Sequence, residues 1–172
     1  MINSEKLKKL HIGAMIKKVA QKKEISSREI ADTLSSYRQN PDKIFRMADM
    51  NIEDLIRISF LLKHNFLLFL VKEFLPHLSF SVADLDSSHV TNDLSNNNCD
   101  FLNQILIGEK IKKVAEKNNR NGQKVTEVLN CTPAVVCYLF TRKSIKVKRL
   151  IEISDAFQYD FISNVYLSEM SI

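Results

Sequence analysis

Tryptophan is absent from this chain, and glycine and proline occur only three times each in 172 residues. A β-sandwich or barrel needs frequent turns, and Gly and Pro are the residues that make them, so this scarcity argues against an all-β fold. Cysteine is also sparse. Cys99, Cys131 and Cys137 form no CxxC pair, and His11, His64, His77 and His89 stand singly, so neither a metal cage nor a disulfide framework is written here. Cys131 and Cys137 read as small apolar side chains. No long hydrophobic run exists. The most apolar stretch, FLLFLVKEFL at 66–75, is broken by Lys72 and Glu73 and is far shorter than the roughly 20 residues of a membrane-spanning helix. The opening MINSEKLKKLHIG is basic but lacks the apolar centre of a signal peptide. The expectation is a cytoplasmic protein with no membrane partner. Gly-rich phosphate loops, carboxylate pairs of recognisable spacing and nucleophile motifs are missing too, so neither an enzyme nor a cofactor is expected.

What is present is enough hydrophobic residue, 45%, to pack a core, together with a mildly basic balance of +5 and an isoelectric point near 9.1. That balance is compatible with a polyanionic partner.

The informative feature is an echo. KIFRMADMNIEDLIRIS at 43–59 is answered by YLFTRKSIKVKRLIEIS at 138–154, and a shift of 95 positions aligns 12–66 with 107–161 without a gap. Ile12-Gly13 meets Ile107-Gly108, IKKVA at 16–20 meets IKKVA at 111–115, and Leu55, Ile56, Ile58 and Ser59 meet Leu150, Ile151, Ile153 and Ser154. The chain therefore divides into one unit at 1–75, a connector at 76–103 and a second unit at 104–172. The units carry +5 and +4, and the connector carries −4, with four Asp and no Lys or Arg. This reads as an acidic, solvated linker between two basic units.

Each unit has the same grammar. Apolar positions Ile12, Ile16, Val19 and Ala20, and their equivalents Ile107, Ile111, Val114 and Ala115, predict amphipathic helices over 12–24 and 107–119. Ser26, with Glu29 three residues on, predicts a capped second helix, and Asn121 takes the cap position in the other unit. These helices end at Leu34-Ser35 and Leu129-Asn130, where Asn suits a left-handed turn. Thr132-Pro133 starts a third helix in the second unit. In the first unit, Pro41 delays that start to Asn40 or makes its first turn irregular. Fourth helices follow at 52–62 and 147–157. The apolar tails FLLFLVKEFL and FISNVYL (161–167) are suited to packing on each other or across a dimer. Lys6, Lys8 and Lys9 read as a terminal basic arm or as solubilising charge.

Two helices joined by a tight turn, the second short and flanked by Lys and Arg, suggest a helix-turn-helix. SREIADTLSSYRQNPDKIF and GQKVTEVLNCTPAVVCYLFTRKSI resemble the core of the Xre/Cro (phage-repressor-like) DNA-binding domains, and NIEDLIRISFLLKHNF and KVKRLIEISDAFQYDF resemble the fourth-helix segment of that family. The resemblance covers about two-thirds of the chain. It implies an all-α fold of two tandem units of four to five helices each, and a transcriptional regulator that binds duplex DNA as a homodimer or as an intramolecular pseudo-dimer. Its third helices would enter the major groove, about 34 Å apart in a two-fold arrangement.

By that resemblance the DNA-binding residues are Arg38, Gln39, Asn40, Lys43 and Arg46 in the first unit and Thr132, Ala134, Tyr138, Arg142 and Lys143 in the second. Lys17, Lys18, Lys112 and Lys113 are weaker candidates for phosphate contact. Periodicity turns Ile44, Phe45, Val136, Leu139 and Phe140 inward. It leaves polar Arg38, Gln39, Asn40, Asp42 and Lys43 outward in one unit, against Pro133, Ala134, Val135, Cys137 and Tyr138 in the other. Arg grips guanine and Gln or Asn grips adenine, whereas Ala, Val and Tyr touch thymine methyls or phosphates. The apolar set also suits a different class of function, a non-enzymatic protein-interaction or scaffold module that keeps the fold without base reading.

Overall fold

A computed structural model describes residues 4–34, 37, 39–78, 102, 106–118 and 122–167. Within them the chain is all-α, and no β-strand forms among the described residues. The helices are α1 (Ser4–Lys9), α2 (Ile12–Lys22), α3 (Ser27–Thr33), α4 (Lys43–Arg46), α5 (Ile52–Leu61) and α6 (Phe66–Phe74). They are followed by α7 (Ile107–Lys117), α8 (Gly122–Leu129), α9 (Pro133–Phe140), α10 (Val147–Phe157) and a closing turn with π-type hydrogen bonding, Ile162–Leu167. The connector residues 79–101, Cys99 among them, and the expected cap Asn121 lie outside the described residues.

Local signals account for several of these boundaries. At α3, Ser26 Oγ accepts the Glu29 amide while the Glu29 carboxylate accepts the Ser26 amide at 2.8 Å, closing the capping box. Thr132 precedes Pro133, which supplies a preset φ at the first position of α9. Asn130 adopts φ 46° after α8, as its short polar side chain permits. Ile12, Ile16 and Ala20 on α2, and Ile107, Ile111 and Ala115 on α7, are buried, with Val19 and Val114 at the core's edge.

Backbone bonding recurs at the 95-residue shift. Gly13 N–H donates to Met47 O at 2.8 Å, and Gly108 N–H donates to Arg142 O at 2.9 Å. His64 N–H to Ser59 O is matched by Tyr159 N–H to Ser154 O, both at 3.0 Å, and Lys63 and Gln158 share a left-handed conformation. α6 packs against the closing turn, so the two apolar tails do cover one another. Phe66, Leu67, Leu70 and Val71 are buried on one side, and Phe161, Ile162 and Val165 on the other.

Two details differ from the sequence reading. Residues 4–9 are not a basic arm but a helix: Leu7 is buried, and Lys6 pairs with Glu73 at the end of α6. Among the described residues the first segment thus has six helices rather than four or five. In addition, α4 begins later than Asn40, and of the two expectations there the irregular first turn holds: Lys43 N–H donates to Asn40 O and Ile44 N–H to Pro41 O, both at 3.1 Å. Asp42 precedes it without making a side-chain cap, because its carboxylate instead accepts the Ser27 hydroxyl at 2.7 Å.

Candidate nucleic-acid interface

Two glycines hold α4 and α9, the helices that the sequence reading placed third in each unit. A Cβ on Gly13 would lie 2.4 Å from Ile44 O and 2.8 Å from Phe45 C, and one on Gly108 would lie 2.5 Å from Leu139 O and 2.6 Å from Phe140 C. Only glycine lets α2 and α7 lie flush on the backbone ends of α4 and α9. Ile44, Val136 and Leu139 are buried beneath, so register and face are set on both helices, and the opposite faces point outward.

On the first segment, Gln39, Asn40, Asp42, Lys43 and Arg46 are exposed. Gln39 and Asn40 stand in the turns ahead of α4 rather than on it, because the helix is only four residues long. Arg38 lies outside the described residues. On the second segment Thr132, Pro133, Ala134, Val135, Cys137 and Tyr138 are all exposed, Tyr138 at 59%. The Arg142 guanidinium stacks over the Tyr138 ring, 4.2 Å from its centroid. A ring beneath a planar cation limits its rotamers without using its N–H donors.

Arg142 and Lys143 join Lys112, Glu109, Cys137 and Phe140 around an open cleft of about 580 Å³ between α7 and α9. On the other flank of α9, Val135, Tyr138 and Arg142 line a groove of about 250 Å³ together with Asn51, Lys146 and Arg149. Lys17, Lys18 and Lys113 are exposed on α2 and α7. Asn51, Lys146 and Arg149 were not among the candidates from sequence. The KVKR run at 146–149 was the available signal, but its proximity to α9 depends on the tertiary fold.

The two segments meet at an antiparallel backbone bridge between Asn51 and Lys146, flanked by Ile52 N–H to Ile145 O at 3.0 Å and Val147 N–H to Met50 O at 2.9 Å. Asn51 and Lys146 are equivalent under the 95-residue shift, and the two hydrogen bonds exchange under it. One step further out, Asp49 Oδ1 accepts Lys148 N–H at 3.3 Å, and Ser144 Oγ donates to the Glu53 carboxylate, again an exchanged pair. Neither Asn51 nor Lys146 caps its own helix through its side chain. The first amide of α5, Ile52, and the first two of α10, Val147 and Lys148, are therefore satisfied by the opposite segment. Burial pushes the Asp49, Glu53 and Asp54 carboxyls above the usual range. Glu53 Oε1 is buried with no hydrogen-bond partner among the described residues.

This bridge bounds the separation of α4 and α9. Arg46 is five residues from Asn51 and Phe140 six from Lys146, and extended chain spans at most about 3.6 Å per residue. With about 4.5 Å across a bridge of this type, the ends of α4 and α9 lie no more than about 45 Å apart.

Among the described residues no helix is long and apolar enough to cross a membrane, and no group of three or more His, Cys, Asp or Glu is placed to hold a metal. Comparison with protein-family models, curated proteins and solved structures finds no match to this chain.

Proposed function

We propose that the chain is a cytoplasmic, non-enzymatic transcriptional regulator in which two tandem repressor-like helix-turn-helix units dock on duplex DNA. The observation that carries this reading is the exposed outer side of the third helices with cations at its edges: Lys43 and Arg46 on α4, and Arg142 and Lys143 beside α9. Cationic side chains dock on phosphate, and a helix set between them fits the major groove. The upper bound of about 45 Å on helix separation admits the roughly 34 Å of one duplex turn.

A salt series of duplex binding on the intact chain tests the reading. If Lys17, Lys18, Lys43, Arg46, Lys112, Lys113, Arg142 and Lys143 all meet phosphate, log K falls against log salt with a slope near −7, about −0.9 per contact. Alanine at Gln39 weakens binding more than at Val135 or Tyr138, because a lost bidentate base contact costs about 1–3 kcal/mol. No duplex affinity at low salt refutes the proposal.

One observation favours a second reading, a protein-interaction module. Val135 and Tyr138 leave about half of their surface in water, and exposed apolar clusters on a helix are common contact points between proteins. That module would bind its partner with little salt dependence.

A further inference from the structure

The bridge at Asn51 and Lys146 has the form of an isologous interface, the kind two identical subunits make around a two-fold axis. Pairs 49 with 148, 50 with 147, 51 with 146, 52 with 145 and 53 with 144 map onto one another when each residue is exchanged for its equivalent 95 positions away. The apolar tails, α6 and the closing turn, face each other under the same exchange. Here both partners belong to one chain, so the surface a dimer would use is already occupied.

The two outward faces related by that exchange are chemically different. Around α4 they are Gln39, Asn40, Asp42, Lys43 and Arg46, which offer hydrogen bonds. Around α9 they are Ala134, Val135 and Tyr138, flanked by Arg142, Lys146 and Arg149. An apolar side chain in the major groove finds one apolar feature there, the thymine C5-methyl. The cations beside it fit the phosphates of the same ligand rather than an apolar protein partner.

We infer that a single chain occupies both half-sites of a non-palindromic duplex, with α4 reading one half by hydrogen bonds and α9 reading the thymine methyls of a T-rich other half. This rests on the DNA-binding reading above and adds the stoichiometry and the asymmetry of the ligand. The test begins with selection of sites from a randomised duplex pool by the full chain at low salt, followed by the mass of the complex. The expected result is one chain per duplex on a non-palindromic site with one T-rich half.

Replacing thymine by uracil in that half then removes the methyls without changing base pairing. Each methyl in contact should be worth about fourfold in affinity, the value of burying one such group. The exposed substitutions V135S and Y138S should erase the thymine-over-uracil preference while leaving discrimination in the other half intact. Two chains per duplex, a palindromic site, or indifference to uracil overturns this inference and leaves DNA binding standing. Failure to bind any duplex at low salt removes DNA binding itself, and the inference with it.

Discussion

Glycine to alanine inside a helix normally stabilises a protein, by about 1 kcal/mol from backbone entropy. At Gly13 the sign should reverse. A Cβ there would sit 2.4 Å from Ile44 O and 2.8 Å from Phe45 O, both backbone atoms of α4 that no rotamer change can move aside. Overpacking of this kind costs about 1–3 kcal/mol. Moving α2 away also lengthens the 2.8 Å bond from Gly13 N–H to Met47 O, a loss of about 1 kcal/mol. Against the gain in helix propensity, G13A should be destabilised by about 1–3 kcal/mol net. For a protein of this size, 2 kcal/mol lowers Tm by roughly 4–8 °C. G108A should behave alike, since its Cβ would meet Leu139 O and Phe140 O at 2.5 Å. Gly122 is the internal control: nothing lies within 4 Å of its Cβ position, so G122A should gain up to about 1 kcal/mol. Urea and thermal unfolding of the three variants decide the matter. A G13A midpoint equal to or above that of the unaltered protein refutes the close approach of α2 to α4.

Three further outcomes are expected. Proline at Val147 suits the backbone, since Val147 opens α10 and Lys146 has an extended ψ of 145°, although it replaces a fully buried valine side chain. It nevertheless removes the donor to buried Met50 O, so V147P should lose about 1–3 kcal/mol, and an unchanged urea midpoint would show that the bridge contributes nothing. S26A should cost about 1 kcal/mol by opening the start of α3, read as weaker amide protection over 27–30 in hydrogen exchange. Glu53 has its pKa raised in the fold by burial, so its contribution is full below the unfolded carboxylate pKa and is lost as pH rises through the folded value. E53Q should therefore compare more favourably with the unaltered protein at pH 8 than at pH 4, and an equal difference at both would place the charge in water.

Much of this architecture is legible in the residues because it is written in side chains. The spacing of Ile12, Ile16 and Ala20 and of Leu150, Ile151 and Ile153 marks buried helix faces, and Ser26 with Glu29 marks a start within a residue. Where side chains compete, reading fails. Asp42 bonds Ser27 instead of capping, and Pro41 withholds its donor, which together shorten α4 and leave Gln39 and Asn40 in turns. The terminal lysines hide Leu7 and Leu10, whose i, i+3 spacing was the trace of α1. The bridge at Asn51 and Lys146 had no signal at all. It is made chiefly by backbone amides and carbonyls, which every sequence carries alike. The groove lined by Lys146 and Arg149 depends on that bridge and was missed with it.

In a homodimer every substitution appears twice, once on each side of the axis, so neither copy of an outward face can change without the other. An interface closed within one chain lifts that constraint. A change at Lys43 leaves Tyr138 untouched, and the reverse holds, while the shared framework of Gly13 with Gly108 and Ser59 with Ser154 can stay matched. The contrast between a polar α4 surface and an apolar α9 surface is a difference that such freedom allows. The same closure removes any dependence of pairing on protein concentration: the two halves are together in every molecule, however few there are.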